Sequence, residues 1–367
     1  MSAERIVLVV GRVFQGFHAK NQRTLAVLMA ALLVAGRAGV ASLGRAIDSK
    51  TSFKHAIKRV DRFLGNDNVV VLDWCKALFA TVIGPRKAVK IAIDWTKIGP
   101  WPVLVASVVI RRRGIPVYWA TCDWRRLKRS QNAFEDSFLM MLRDIVPRDV
   151  DAVLLFDRGF RRVSLVRHLK RLGFHFVIRS CSDVHVTTSA GDKIALRNLS
   201  LSSGIIRDYG HVMATTDKPE DVRLVAVFDR RQKEPWLLFS DLDLPPNDIV
   251  ALYARRFTIE ECFRDSKNTR YGWCLGQYKL KDKPERLDRL FLVVVATYFL
   301  VSIIGIHVEH KGLQAGFKAN TSKQKTHSIF LLGWKGRFLV RWLPDSWFAR
   351  FERLDFNSIH NEAAIDL

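Results

Sequence analysis

YARRFTIEECFRDSK, residues 253 to 267, places two adjacent acids, Glu260 and Glu261, among basic side chains. The chain as a whole carries 59 Lys and Arg against 36 Asp and Glu, so the pair calls for a reason. On a helical wheel of about 100° per residue with Tyr253 at zero, Arg256, Glu260 and Lys267 fall at about 300°, about 340° and about 320°. These four share a face about 60° wide, while Glu261 falls at about 80°. Leu252, Ile259 and Phe263 gather beside that face and offer an apolar flank for packing. Glu260 therefore faces Tyr253, Arg256 and Lys267, and Glu261 takes ordinary surface or structural use. Pairing of Glu with Lys or Arg three or four residues away is also common helix-surface decoration. That reading stays open from this window alone.

Working outward, PPNDIVALYARRFTIEECFRDSK (245–267) reads as one long helix with Asn247 or Asp248 near its cap. Upstream, DVHVTT, VRLVAVFD and PWLLFSDL (between 181 and 243) are short strands set among Ser, Gly and Asp turns, a β-rich insertion. Further upstream, KAVKIAID, PVLVASVVIRR and, after RGIP, VYWATCDW make a three-strand meander. QNAFEDSFLMMLRDIV has helical spacing, AVLLFD is a buried strand, SLVRHLKRL a helix and FHFVIRS another strand. Antiparallel strands followed by strands alternating with helices are the order of a ribonuclease-H-like α/β core.

The N-terminal part reads as two or three short helices over residues 22–65. The last, TSFKHAIKRVDRFLG, has Thr51 or Ser52 to cap it and Gly65 to end it. Lys54, Lys58, Arg59 and Arg62 give it a basic face. GVASLGRAIDSK before it fits the first helix of a helix-turn-helix, which would set the basic helix on DNA; a solvated basic helix explains the same spacing. The parts are then a helical N-terminal DNA-binding region (1–86), the first part of the core (87–180), the insertion (181–243), the final part of the core (244–310), and a basic, aromatic C-terminal region (311–367) that could serve dimerisation.

A formal charge of +23, spread along the chain, suits a polyanionic partner, with nucleic acid ahead of a membrane surface. At 49% hydrophobic residues the chain can bury a large core or two smaller ones. Five cysteines without a C-x-x-C pair indicate neither a zinc site nor a disulfide framework, which fits a reducing cytoplasm. TLAVLMAALLVA (24–35) is too short to span a bilayer, and LFLVVVATYFLVSIIGI (290–306) is read as a buried core helix.

One glutamate cannot hold a metal, but Asp94 in IAIDWT and Asp157 in LLFDRGF stand at the ends of apolar strands. A carboxylate there is costly to desolvate unless paired or metal-bound, and strand ends are where α/β folds place sites. A simple turn role for each Asp remains an alternative.

Together these residues resemble the DDE transposases of bacterial insertion sequences, in particular the IS-four family with its Y-x2-R-x3-E-x6-K signature. Tyr253, Arg256, Glu260 and Lys267 match all four positions, AIDWT and FDRGF look like the two Asp strands, and the likeness covers most of residues 40–300. The resemblance implies that Asp94, Asp157 and Glu260 hold two Mg²⁺ ions, for which Mn²⁺ can substitute, and that Tyr253, Arg256 and Lys267 grip phosphates. It implies cleavage at transposon ends and strand transfer into target DNA, by cut-and-paste through a DNA hairpin. Trp236 looks like the tryptophan that stacks on a flipped base, although a tryptophan on a strand also reads as core. Thr96 and Arg158 would support the acids beside them. Double-stranded DNA (terminal inverted repeats and target), a homodimer on paired ends and a cytoplasmic, nucleoid-associated location are further implications. A ribonuclease-H-like Mg²⁺-dependent nuclease and an inactive DNA-binding derivative are the competing readings.

Overall fold

The computed structural model describes residues 3–215, 217–229, 234–277, 283–317 and 327–337. Five helices open the chain: α1 (Ala3–Val13), α2 (Ala19–Ala35), α3 (Val40–Ala46), α4 (Phe53–Leu64) and α5 (Val71–Ile83). The expected helices of residues 22–65 are α2 to α4, and α1 and α5 enlarge the group. Ser52 precedes α4 and Gly65 ends it, but the Ser52 hydroxyl pairs with His55 Nδ1 rather than with a backbone N–H.

The meander follows as β1 (Ala88–Ile98), β2 (Trp101–Ile110) and β3 (Arg113–Thr121), all antiparallel. Next come α6 (Trp124–Ile145), β4 (Asp151–Phe156), α7 (Val163–Leu172) and β5 (His175–Arg179). β4 runs parallel to β1 and β5 parallel to β4. α6 begins earlier than the spacing predicts, and Ser130, with non-helical φ −137°, marks where the expected part starts.

Five further strands are β6 (His185–Thr188), β7 (Lys193–Ala195), β8 (Ile206–Ala214), β9 (Glu220–Val227) and β10 (Trp236–Ser240). The sequence pattern had picked out β6, β9 and β10. These strands continue the same sheet, because β10 pairs antiparallel with β5. The order across ten strands is β3-β2-β1-β4-β5-β10-β9-β8-β6-β7. Its first five positions carry the antiparallel-then-parallel arrangement expected of a ribonuclease-H-like core.

The predicted long helix over 245–267 is two helices, α8 (Pro246–Ala254) and α9 (Phe257–Lys267). At the break, Arg255 N–H donates to Leu252 O, Arg256 N–H to Tyr253 O and Thr258 N–H to Arg255 O, each three residues back. Such tight turns redirect a chain. Here α8 packs on β5, β8 and β9 while α9 lies on β1 and β3, two regions of a twisted sheet that one straight helix could not follow. Pro245 takes the cap position, with Asp248 in the first turn.

α10 (Pro284–His310) runs through the core and is followed by α11 (Ile329–Gly336). α10 is long and apolar enough to cross a membrane, yet 94% of its most apolar window is buried inside the fold. It packs against β3, α2, α4, α5 and α11. The bent pair α2 and α3 passes the same length and composition test only if taken as one broken span. Most of the C-terminal region, including Trp342 and Trp347, lies outside the described residues.

Candidate active site

β1 and β4 set the two aspartates side by side. Their parallel register ends at Ile93 opposite Phe156, so Asp94 and Asp157 are the next residue on each chain. Neighbouring strands lie about 4.8 Å apart, which brings these carboxylates into electrostatic reach. The expectation that β1 ends at Asp94 needs correction: the strand continues to Ile98, because β2 still pairs with it as far as Ile98 opposite Trp101. Asp94 stands where β1 loses its partner β4, not at the end of β1.

Asp157 also makes a turn, its Oδ1 accepting from Gly159 N–H at 2.8 Å. Asp94 Oδ1 accepts from Trp95 N–H at 2.8 Å. Alternation along β1 sends Asp94 and Thr96 to one face and Trp95 to the other. On the far face, Trp95 Nε1 donates to Glu135 of α6 at 3.0 Å, and Gln131 also donates to that acid, at 2.9 Å. On the near face lies α9, with three of the four signature residues turned toward the aspartates. Arg256 donates to Glu260 Oε1 at 2.6 Å and reaches Asp94 Oδ2 at 3.4 Å. Lys267 Nζ donates to Thr96 Oγ1 at 2.6 Å.

Tyr253 is buried and closes the other side. Its ring centroid is 4.8 Å from that of Trp236, and the Arg256 guanidinium carbon lies 5.8 Å from it. Trp236 also meets Phe257, at 5.9 Å. Trp236 is half-buried, so its indole both packs and borders the site.

The electrostatics reflect crowded negative charge. Burial, then Asp157, pushes the Asp94 carboxyl up to about 7, Arg256 and the Trp95 N–H oppose this, and Glu260 adds to it. Burial works against the Arg256 charge, but Tyr253, Glu260 and Asp94 hold it above its ordinary range. Burial lowers the Lys267 ammonium and Asp94 partly restores it.

Three hard carboxylates sharing excess negative charge are a donor set suited to Mg²⁺, which takes few carboxylates and completes its shell with water and phosphate oxygens. Arg256 bridges two of them. As placed, no group of three or more His, Cys, Asp or Glu among the described residues encloses a metal position. The donor chemistry fits a divalent cation, and Arg256 engages two of the three carboxylates.

Glu261 turns away, as the wheel indicates, pairing with Arg264 at 2.8 Å and with Arg113 of β3 at 3.4 Å. Sequence reasoning missed what holds α9 from behind. Arg113 Nε donates to Asp265 at 2.8 Å, Tyr298 of α10 donates to the same carboxylate at 3.2 Å, and a Cβ on Gly114 would meet the Ile259 backbone at 3.3 Å. No local pattern joins residues 113, 265 and 298. Arg158 lies beside Asp157 but pairs outward with Glu234 at 2.5 Å.

The N-terminal basic residues form a second location. Arg59 and Arg62 line a cleft of about 860 Å³ with Lys20 and Arg23 of α2, His18 and His55, and no acid among the described residues lines it. Lys54 and Lys58 are exposed on α4 outside that lining. The four expected α4 contacts thus divide into two inside the cleft and two outside.

Residues 130–279 match the family model described as a transposase DDE domain. The matched stretch holds Asp157, Trp236, Tyr253, Arg256, Glu260 and Lys267 and leaves Asp94 outside. A comparison with curated proteins gave no match. The family match supports a DDE transposase, and with it DNA transposition and DNA binding.

Proposed function

We propose that the chain is a transposase of the IS-four signature group that cuts the ends of its own element and joins them to target DNA by cut-and-paste, through a hairpin. The observation that carries the reading is the meeting of Asp94, Asp157 and Glu260 from two parallel strands and one helix, with Arg256 and Lys267 on the same side. Asp94, Asp157 and Glu260 would hold two Mg²⁺ ions, or Mn²⁺, which when bound activate the attacking oxygen and stabilise the departing one. Arg256 exchanges its carboxylates for the DNA phosphate next to the scissile bond, which its planar fork can hold through two parallel hydrogen bonds. Lys267 adds a point charge beside Thr96. Trp236, half-buried and backed by the buried Tyr253 ring, presents aromatic surface at the rim, where an unpaired base of the hairpin can stack.

Two further surfaces belong to the proposal. The cleft of Lys20, Arg23, Arg59 and Arg62 contacts the backbone of the terminal inverted repeat, and Lys54 and Lys58 extend that contact over the outer face of α4. Two protomers act on paired ends.

Asp94→Asn, Asp157→Asn and Glu260→Gln should each abolish Mg²⁺-dependent cleavage of the element's end in a gel assay while end binding persists. Cleavage surviving in all three variants rules the site out. A precleaved end separates the nuclease reading, since a nuclease leaves it unjoined and a transposase transfers it to target DNA.

A further inference from the structure

Two arginines at the rim of the acid cluster converge on one carboxylate. Arg158 follows Asp157 at the end of β4 and donates to Glu234 Oε2 at 2.5 Å; Arg179, the last residue of β5, donates to the same oxygen at 3.2 Å. Glu234 stands two residues before Trp236, whose indole meets Tyr253. Arg179 also lies within electrostatic range of Tyr253, and so does Asp157. The pair therefore lies beside Asp157, Tyr253 and Trp236.

The match between these groups is incomplete. One carboxylate oxygen accepts from both guanidinium groups, the buried Arg179 Nε has no partner among the described residues, and the Arg158 and Glu234 side chains are half exposed. A phosphodiester has the same charge as a carboxylate and holds its two non-bridging oxygens tetrahedrally about phosphorus, so that each can accept from one of the two forks. The Arg158–Glu234 pair is half exposed, and exposed ion pairs are weak, so a phosphate can displace Glu234 from it readily.

We propose that Arg158 and Arg179 form a phosphate-binding site for the DNA strand entering the acid cluster, and that Glu234 occupies it in the DNA-free protein as a built-in competitor. This rests on DNA being the substrate of the site, as inferred above, but not on cleavage or joining. Entry of the strand moves the two arginines from Glu234 to a backbone phosphate and frees the segment leading into Trp236.

The test is a cycle of variants measured by fluorescence anisotropy with a labelled DNA duplex, in EDTA so that no cleavage enters. Glu234→Gln should lower the Kd about threefold or more. The same substitution made in an Arg158→Gln background, and in an Arg158→Gln, Arg179→Gln background, should bring a smaller gain and none. An unchanged Kd for Glu234→Gln overturns the proposal, and so does an equal gain in every background, which a simple change of net charge would produce. Melting temperatures confirm folding, and the half-exposed Arg158 supplies a background that does not depend on the less exposed Arg179. Failure of the transposase reading would show separately, as absent metal-dependent cleavage by the unaltered chain.

Discussion

Glu260 and Glu261 are adjacent, chemically identical and placed in different surroundings. Glu260 is bound by Arg256, which also reaches Asp94, whereas Glu261 joins Arg113 and Arg264 on the side of α9 away from the acids. The wheel separates them because a helix sends neighbouring side chains about 100° apart. Glu261→Gln should thus cost about 1 kcal/mol or less in urea unfolding, since its pairs are partly solvated. Cleavage by this variant should stay within a few-fold of the unaltered chain, in contrast to its loss in Glu260→Gln. A loss of cleavage in Glu261→Gln equal to that in Glu260→Gln would remove the distinction. Arg113 was invisible to such reasoning: its partners Glu261 and Asp265 lie far along the chain, and no periodicity links a strand residue to a later helix.

Among the elements, α10 and α11 approach most closely through glycine. A Cβ on Gly305 would stand 1.7 Å from Ile329 O, and one on Gly333 1.8 Å from Val301 O, both against rigid backbone. The two helices touch backbone to backbone, which only hydrogen as a side chain permits. Gly305→Ala or Gly333→Ala should destabilise the chain by about 3 kcal/mol or more in urea unfolding, because the helices must part and their shared core must loosen. Gly276→Ala meets nothing within 4 Å and should change little. Equal stability of Gly305→Ala and Gly276→Ala would contradict the contact. The α8–α9 break belongs to this scale too. The apolar spacing over 245–267 continues without interruption, and the turn at Arg255 and Arg256 lets α8 and α9 cover two separate patches of the sheet.

At the scale of the molecule, the start of α10 ties the N-terminal helices to the sheet. Asp288 accepts from the Thr121 hydroxyl at 2.6 Å and the Thr121 N–H at 3.1 Å, at the end of β3. Arg289 donates to Leu64 O at the end of α4 and to Val69 O and Asp67 beyond it. Burial pushes the Asp288 carboxyl up to about 7, Glu285 adds to this, and Thr121 and Arg289 oppose it. The folded chain therefore holds this proton more tightly than the unfolded chain, whose carboxyl titrates at about 4. The stability so gained is fully present below about pH 4 and is lost as pH rises through about 7. Asp288→Asn keeps an acceptor for Thr121 and cannot ionise, so its stability relative to the unaltered chain should improve between pH 4 and pH 8. Parallel pH profiles of the two in urea unfolding would show that Asp288 does not titrate in this range.

Periodicity in the sequence alone identified the meander, the alternating core and the apolar helix, and singled out Asp94, Asp157 and Glu260, whose joint role came from a family resemblance. It could do so because helix and strand periods, caps and apolar runs are local quantities that a single chain displays. Tertiary structure decided the rest. It joined β6 to β10 to the core sheet through the β5–β10 pairing, broke the signature helix at Arg256, carried β1 beyond Asp94, and drew Arg158 and Arg179 to Glu234. Each of these depends on contacts between residues distant in sequence, whose energies arise only when the chain brings the partners together.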